Sequence, residues 1–350
     1  MEQAQKRDVR RLSLAELEQF FLEKGDKKFR AKQVYDWLWN KTLKNFDDMS
    51  NISLSTREML KAHFAINHIQ VDQMHRSQDG TIKNAVKLYD GKIVESVLIP
   101  TPKRITACVS SQVGCSLDCN FCATARLKRM RNLNPDEIFD QVVAIKDEAT
   151  EYFERPLTNI VFMGMGEPLL NYANVMEAIA KITSPDGLGL SPKRITVSTV
   201  GVNKMIKKLA DDGVKFNLAV SLHSAINETR SRLMPINDTN PVEDLAEALQ
   251  YWYRMTGRKV TYEYVIWKGI NDDHRHAVAL ANFCKIIPSK VNIIQYNPID
   301  EGEFQQADAD KVEMYLEILE GNGIVAKVRR SRGQDIDAAC GQLANKHSVV

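Results

Sequence analysis

A short apolar strand runs directly into a cysteine-rich loop in the stretch Arg104-Ile-Thr-Ala-Cys108-Val-Ser-Ser-Gln-Val-Gly-Cys115-Ser-Leu-Asp-Cys119-Asn-Phe-Cys122. The last three cysteines are separated by three and two residues, a spacing that lets their thiolates bind one face of an iron–sulfur cube. A closed four-cysteine site would need another cysteine nearby, and the sequence has none there. We therefore expect a cluster with one iron left open for a further ligand.

A zinc site of three cysteines and one histidine is the alternative for these thiols. The next histidine is His223, a hundred residues further along, which disfavours zinc. An aromatic residue, Phe121, precedes the third cysteine, as in the signature of radical S-adenosylmethionine (SAM) enzymes. In those enzymes the open iron binds the amino and carboxylate groups of SAM, and one electron from the cluster cleaves the sulfonium. We predict a [4Fe–4S] cluster on Cys115, Cys119 and Cys122, with SAM as the second cofactor.

The chain beyond residue 103 alternates β-branched runs with helical stretches. This repeat is typical of an α/β fold with a parallel sheet, either open or curved into a barrel, whose chemistry lies at the carboxyl ends of the strands. Strands are expected near 104–110, 158–163, 194–199, 215–222, 259–266, 291–296 and 323–329, with helices at about 135–150, 173–183, 202–211, 241–254, 275–286 and 308–320.

The segments before the repeat have a different character. Apolar residues recur every three or four positions between residues 12 and 65, which predicts helices. Two alternating runs, Lys83–Tyr89 and Lys92–Ile99, meet at Asp90-Gly91, a strong hairpin signal. The sequence thus predicts four parts: a helical accessory domain at 1–68, a β-hairpin extension at 69–103, the core at 104–343 and a tail at 344–350.

Composition excludes several classes of protein. The 350 residues are 44% apolar and 26% charged, with a mean hydropathy of −0.32, as in a soluble globular protein. We find no apolar run long enough for a membrane helix and no secretory signal, so a cytoplasmic location without a membrane partner is expected. The net charge is only +2, but basic residues form three clusters along the chain, which favours RNA contacts. The clusters are Lys27, Lys28, Arg30 and Lys32, then Arg126, Lys128, Arg129 and Arg131, and finally Lys327, Arg329, Arg330 and Arg332.

Polar residues follow several predicted strands. Gly164-Met-Gly166-Glu167 ends one strand, and its glycines permit close approach of a ligand while the carboxylate can accept from the cofactor's ammonium. Ser198, Ser221, His223 and Asn297 end later strands and are candidates to contact ribose and the methionine carboxylate.

Five motifs together resemble the RlmN and Cfr family of radical SAM enzymes, which methylate an adenine ring carbon in RNA. The resemblance covers about residues 12–343 and implies a partial (β/α)6 barrel of the TIM type, an N-terminal accessory domain and RNA substrates. The motifs are Cys108-Val-Ser-Ser-Gln-Val-Gly-Cys115, Phe162-Met-Gly-Met-Gly-Glu-Pro-Leu-Leu170, Ser221-Leu-His223, Leu233-Met-Pro-Ile-Asn237 and Ala338-Ala-Cys340-Gly-Gln-Leu343.

The resemblance also implies roles for single residues. Cys340 matches the cysteine that takes a methyl group from a first SAM, and a second SAM supplies the radical that activates this methyl. Glu95 matches the base that removes the ring proton, and Cys108 matches the thiol that attacks Cys340 sulfur, releases product and leaves a transient disulfide. Contacts to SAM are implied for Gly166, Glu167, Ser198, Ser221, Leu222, His223 and Asn297.

The expected reaction is methylation of adenine carbon 2 in 23S rRNA and in the anticodon-adjacent adenosine of tRNAs, with an electron donor such as a flavodoxin or ferredoxin system. Two alternatives stay open: the Cfr-type reaction at carbon 8, and a non-catalytic RNA-binding protein stabilised by zinc. One departure is visible, because many relatives have Cys-Ala-Thr-Gly after the third cysteine, whereas this chain has Cys122-Ala-Thr-Ala125 and then four basic residues up to Arg131. The conformation of this loop and its contacts with RNA stay open.

Overall fold

One continuous sheet of ten strands organises the computed structural model, which describes residues 6–300 and 302–346. Its first strands are antiparallel: β1 (Gln70–Arg76), β2 (Ile82–Lys87) and β3 (Ile93–Thr101), followed by β4 (Arg104–Cys108). The predicted turn at Asp90-Gly91 joins β2 to β3, with Gly91 in the left-handed region at φ 78°. The extension is thus three strands rather than a hairpin, and it is hydrogen-bonded to the core through β3 and β4.

Seven parallel strands form the core, in sequence order from β4. A separate ribbon of β5 (Gln112–Val113) and β6 (Arg131–Asn132) flanks the cysteine loop. Six strand–helix units and a seventh strand make a partial barrel, because the sheet keeps two free ends; this confirms the predicted fold class. The later strands are β7 (Asn159–Phe162), β8 (Ile195–Thr199), β9 (Asn217–Ser221), β10 (Val260–Val265), β11 (Ser289–Ile294) and β12 (Val325–Arg329).

Ten α-helices belong to the described part of the chain. The first begins with a capping box, in which Ser13 Oγ accepts from the Glu16 backbone and Glu16 accepts from the Ser13 backbone. The helices are α1 (Leu14–Glu23), α2 (Phe29–Trp39), α3 (Leu54–His63), α4 (Pro135–Phe153), α5 (Tyr172–Thr183), α6 (Asn203–Asp211), α7 (Asn227–Leu233), α8 (Val242–Thr256), α9 (His274–Cys284) and α10 (Ala309–Gly321).

A buried charge cluster fastens the N-terminal helices to the core. Arg10 is 2% exposed, donates to Asp140 on α4 at 2.8 Å and pairs with Asp8 at 3.1 Å. His68 also contacts the Asp140 carboxylate, at 3.1 Å. Because a buried charge is costly unless it is paired, these contacts fix how the N-terminal segment packs on α4. In the described residues no helix is long and apolar enough to cross a membrane.

Two elements of the structure were not predicted from the sequence. Strand β1 was not expected because it is an edge strand with mostly exposed polar residues, which gives no apolar alternation. Helix α7 was not expected because its seven residues, Asn227–Leu233, are too few to show a helical period. The predicted domain boundaries at 68, 103 and 343 stay predictions.

Glu148 on α4 generates a testable prediction about stability and pH. Its carboxylate is buried, accepts from Asn84 Nδ2 at 2.6 Å through one oxygen, and has a second oxygen with no hydrogen bond among the described residues. Burial raises the pKa of Glu148 to about 7. Between its ordinary pKa and this value the folded state holds a proton that the unfolded state has lost, so stability falls as the pH rises through that window.

We expect Glu148→Gln, which cannot ionise, to gain about 1–3 kcal/mol relative to the parent protein between pH 5 and pH 8. Urea unfolding at both pH values measures the difference. Glu177→Gln, which removes an exposed carboxylate on α5, is the control and should follow the parent curve. Parallel curves for the parent and Glu148→Gln would contradict the prediction.

Candidate active site

The three cysteines of the loop line one cavity at the carboxyl ends of the parallel strands. All three are free thiols, and the loop is folded back by a hydrogen bond from Cys122 N to Cys119 O at 3.1 Å. Asn120 N donates to Leu233 O at 3.1 Å, which docks the loop against α7. The structure therefore brings the three predicted cluster ligands to one cavity, and their binding of iron stays a prediction.

The donor set suits a cluster better than a single ion. Among residues 6–300 and 302–346, no three His, Cys, Asp or Glu side chains stand close enough to hold one metal ion. A cube bonds each cysteine through a different iron, so its ligands stand further apart than those of one ion. Burial raises the pKa of Cys115 to about 11 and that of Cys119 well above its usual range. Iron would remove this penalty by binding the thiolates, so the residues fit the cluster.

The segment after Cys122 has a regular backbone structure. It forms a short 3₁₀ helix at Ala123–Arg126 and then continues into β6, which pairs with β5. Between the two, the backbone of Lys128 forms an isolated β-bridge with Cys115. The sequence places Arg131 in a basic cluster that favours RNA contacts. In the structure Arg131 makes ion pairs with Asp90 and Glu137, both at 2.7 Å, so its charge is already neutralised.

Gly166 and Glu167 form one wall of the cavity. Gly166 has φ +90°, and a Cβ there would lie 2.4 Å from the Gln112 side chain, so only glycine fits. Glu167 is 3% exposed and accepts from Val200 N at 3.0 Å and Leu169 N at 3.1 Å. Burial raises the pKa of Glu167 to about 7, so an ammonium group beside it would favour its charged form.

The later strand-end residues divide into two groups. Ser198, Ser221, His223 and Asn297 line the cavity, and their contacts with SAM stay predictions. Leu222 does not line it: its side chain is buried elsewhere and its backbone N–H donates to Glu263 O at 3.0 Å.

His223 is held in one tautomer. Its Nδ1 accepts from Val265 N at 3.1 Å, which leaves the ring proton on Nε2. Burial, together with the nearby Arg230, lowers the pKa of His223 to about 3, so the ring is neutral at physiological pH. Its backbone lies in the left-handed region at φ 56°, an uncommon conformation for a side chain of this size.

Two aromatic rings complete the wall of the cavity. His223 packs on Phe121 and Trp267, with ring centroids 4.8 and 5.5 Å apart. Phe121 was noted only as part of the cysteine signature, and Trp267 carries no motif. The signal that could have found Trp267 is its place directly after the predicted strand at 259–266.

Arg230 on α7 supports the cavity from outside. This guanidinium is fully buried and donates to the carbonyl oxygens of Val200 and Leu222 and, at 2.9 Å, to Asn237 Oδ1. It therefore ties the carboxyl end of β9 to the loop after β8. Asn237, the last residue of the Leu233–Asn237 motif, thus helps to orient Arg230.

Cys340 lies where two cavities meet. It lines the cavity of the three cysteines and also a second one inside the barrel, which Cys108 lines as well. Arg329 Nη2 lies 3.6 Å from Cys340 Sγ, and Arg329 Nη1 lies 3.6 Å from Glu263. The neighbouring Cys340 sulfur and Glu263 raise the pKa of Arg329, which keeps the guanidinium charged. Arg329 was predicted in a basic RNA-binding cluster; the structure instead places it beside the thiol.

Glu95 does not line either cavity. It lies on β3, is 1% exposed and pairs with Lys83 at 3.2 Å. Its other oxygen accepts from the backbone of Ala344 and Asn345 at 2.8 and 3.1 Å.

Comparison with known proteins identifies the family. Residues 109–281 match the model of the radical SAM superfamily, and residues 8–66 match the N-terminal domain of ribosomal RNA large subunit methyltransferases. The chain is 67% identical, over 97% of both chains, to a probable dual-specificity RNA methyltransferase RlmN of Christiangramia forsetii. The chain belongs to the RlmN family of radical SAM RNA methyltransferases.

More distant members support the same assignment. The RlmN-family protein of Salinibacter ruber, also named a probable dual-specificity RNA methyltransferase, is 45% identical over 97% of this chain and 94% of its own. A crystal structure of a radical SAM methyltransferase from Sphaerobacter thermophilus superposes with a TM-score of 0.90, at 38% identity, over 96% of this chain and 99% of that one. A [4Fe–4S] cluster and SAM are the cofactors of the family, which sets aside the zinc-stabilised alternative.

The placement of the cysteines predicts which of them hold iron. We expect Cys115→Ala, Cys119→Ala and Cys122→Ala each to lose the brown colour and most of the bound iron after anaerobic reconstitution, because two thiolates hold a cube poorly. Iron and sulfide analysis with visible absorption measures the loss. Cys284→Ala removes a buried thiol on α9 away from the cavity and should retain the cluster. Full iron content in any of the first three variants would contradict the assignment.

Proposed function

We propose that this protein methylates carbon 2 of an adenosine in 23S rRNA and of the anticodon-adjacent adenosine in tRNAs. It consumes two SAM molecules per turnover and takes electrons from a flavodoxin or ferredoxin system, in the cytoplasm where these RNAs are found. The observation that carries the proposal is the position of Cys340, which borders the cofactor cavity on one side and the Cys108 cavity on the other.

Cys340 carries the methyl group in this proposal. Its sulfur attacks the methyl carbon of a first SAM, so that a sulfur–carbon bond forms on Cys340, the sulfonium bond breaks and the thiol proton is lost. Arg329, 3.6 Å away, stabilises negative charge on the sulfur before the attack. Asn297 Nδ2 donates to Cys340 O at 3.1 Å and orients the residue toward both cavities.

The cofactor-binding residues position the second SAM. Glu167 receives its ammonium, Ser198 and Ser221 contact its polar groups, and the rings of His223 and Phe121 exclude water. When bound, the cluster and this SAM supply the one-electron chemistry that removes a hydrogen atom from the methyl group on Cys340. Radical chemistry suits the reaction because carbon 2 of adenine is too electrophilic to attack a SAM methyl directly.

Cys108 resolves the intermediate between protein and RNA. After the ring carbon has bonded to the methylene on Cys340 and lost its proton to Glu95, Cys108 sulfur attacks Cys340 sulfur. The ring radical first gives up one electron to the oxidised flavodoxin or ferredoxin, and the electron pair of the breaking sulfur–carbon bond then stays on the methylene carbon. This carbon takes up the proton that the Cys108 thiol loses, so a methyl group remains on the RNA and a disulfide on the protein. Burial raises the pKa of Cys108 to about 12, so this thiol stays protonated until its target arrives.

Nucleoside analysis tests the proposed function. Reconstituted protein with SAM, a one-electron reductant and unmodified 23S rRNA or tRNA fragments should give 2-methyladenosine, identified by mass spectrometry of the digested RNA. Methylation at carbon 8 instead would place the protein with the Cfr reaction. RNA recovered without any methylated adenosine would overturn the proposal.

The Cys108 role predicts a trapped adduct. In Cys108→Ala the sulfur that breaks the link to Cys340 is missing, so RNA should remain bonded to the protein through the Cys340 peptide. A denaturing gel shows the adduct, and mass spectrometry locates it. Cys284→Ala, which also loses one buried thiol, should release its product as the parent enzyme does. Free methylated RNA from Cys108→Ala at the normal rate would refute the role.

A further inference from the structure

The segment that carries Cys340 crosses the inner face of the extension. Lys83 on β2 pairs with Val97 on β3, and Val97 pairs with Cys108 on β4, so these three residues share one face of the sheet. Glu95, two residues before Val97, lies on that face too. Asp337, Ala344 and Asn345 contact this face through Lys83 and Glu95. Cys340, which lies between them in the chain, lines the same cavity as Cys108.

Two buried charges hold this loop near both ends. Lys83 Nζ donates to Asp337 O at 3.4 Å, three residues before Cys340. Glu95 Oε2 accepts from Ala344 N and Asn345 N, four and five residues after it. Lys83 and Glu95 pair with each other at 3.2 Å, and both side chains are 2% exposed. The ion pair of Lys83 and Glu95 thus contacts the loop on both sides of Cys340.

The stability of the fold does not by itself account for the buried pair of Lys83 and Glu95. A buried ion pair generally stabilises a fold no better than apolar residues of the same volume, because both charges must leave water. A buried lysine and glutamate at this place therefore suit a contact that is broken and remade.

Glu95 also cannot act as a base in the position that the structure shows. One carboxylate oxygen faces Lys83 and the other accepts two backbone N–H groups, while neither cavity reaches the side chain. A proton from an RNA base can reach this carboxylate only after the segment at Ala344 and Asn345 has moved away.

We propose that Lys83 and Glu95 form a latch on the loop that carries Cys340, closed in the free protein and opened by bound RNA. The closed latch holds Cys340 against the cofactor cavity. The open latch exposes the Glu95 carboxylate while Lys83 stays beside it, so Lys83 is a positioning residue. The inference that RNA opens the latch rests on the proposed function, in which Glu95 takes a proton from the RNA base. The closed state of the latch is independent of the proposed function.

Hydrogen–deuterium exchange at Ala344 and Asn345 tests the closed latch in two double variants. Lys83→Met with Glu95→Gln removes both charges but keeps a side-chain oxygen for the two N–H groups. Lys83→Met with Glu95→Ala removes that oxygen as well. We expect exchange at these two amides to rise about tenfold or more in the alanine variant and to stay within about threefold of the parent protein in the glutamine variant.

Asn84→Ala is the matched control, because Asn84 lies next to Lys83 on β2 but points to the opposite face and contacts Glu148. It should leave exchange at Ala344 and Asn345 unchanged. Equal exchange in the glutamine and alanine variants would overturn the closed latch, as would global unfolding of the glutamine variant, since that would make the pair a structural requirement.

The opening is tested on the parent protein with an unmodified tRNA transcript. We expect exchange at Ala344 and Asn345 to rise at least about threefold on saturation with RNA, even though RNA slows exchange where it covers the surface. Unchanged or slower exchange at these amides with RNA bound would overturn the opening. Nucleoside analysis of the same samples reports separately on the proposed function, because methylation without faster exchange refutes only the latch.

Discussion

The pairing of β3 with β4 is the constraint on which the rest of the site depends. Five residue pairs, from Val97–Cys108 to Thr101–Arg104, join an antiparallel extension to the first strand of a parallel barrel. Because side chains alternate along a strand, a shift of one residue in this pairing would turn Lys83 and Glu95 away from Cys108. The register therefore brings residues from separate parts of the sequence to one surface, which the Cys340 loop then covers.

The sequence predicted those parts of the structure that local patterns control. The three-and-two spacing of Cys115, Cys119 and Cys122 depends on a single loop, and the strand–helix repeat depends on short-range periodicity, so both could be identified without coordinates. The strand-end rule likewise located Ser198, Ser221, His223 and Asn297 at the cavity, since carboxyl ends of parallel strands meet at one edge.

Contacts between residues far apart in the chain could not be predicted from the sequence. Arg131 and Arg329 have the same sequence surroundings as surface cations, and only folding shows that one meets Asp90 and Glu137 and the other meets Cys340. Trp267 and Arg230 belong to no ligand pattern, since one supplies packing and the other binds carbonyl groups that every residue has. Glu95 was named only through family resemblance, and its enclosure by the C-terminal segment follows from hydrogen bonds between residues more than 240 positions apart.

The location of Cys340 at the border of two cavities separates the two proposed kinds of chemistry in space. On one side of its side chain lie the three loop cysteines, and on the other lies Cys108, which lines only the second of these cavities. A disulfide between Cys108 and Cys340 would consequently form on the side away from the metal, and a reducing thiol could regenerate the pair without entering the SAM compartment. In the proposed mechanism, disulfide exchange would therefore take place in a different compartment from the one that the three loop cysteines line.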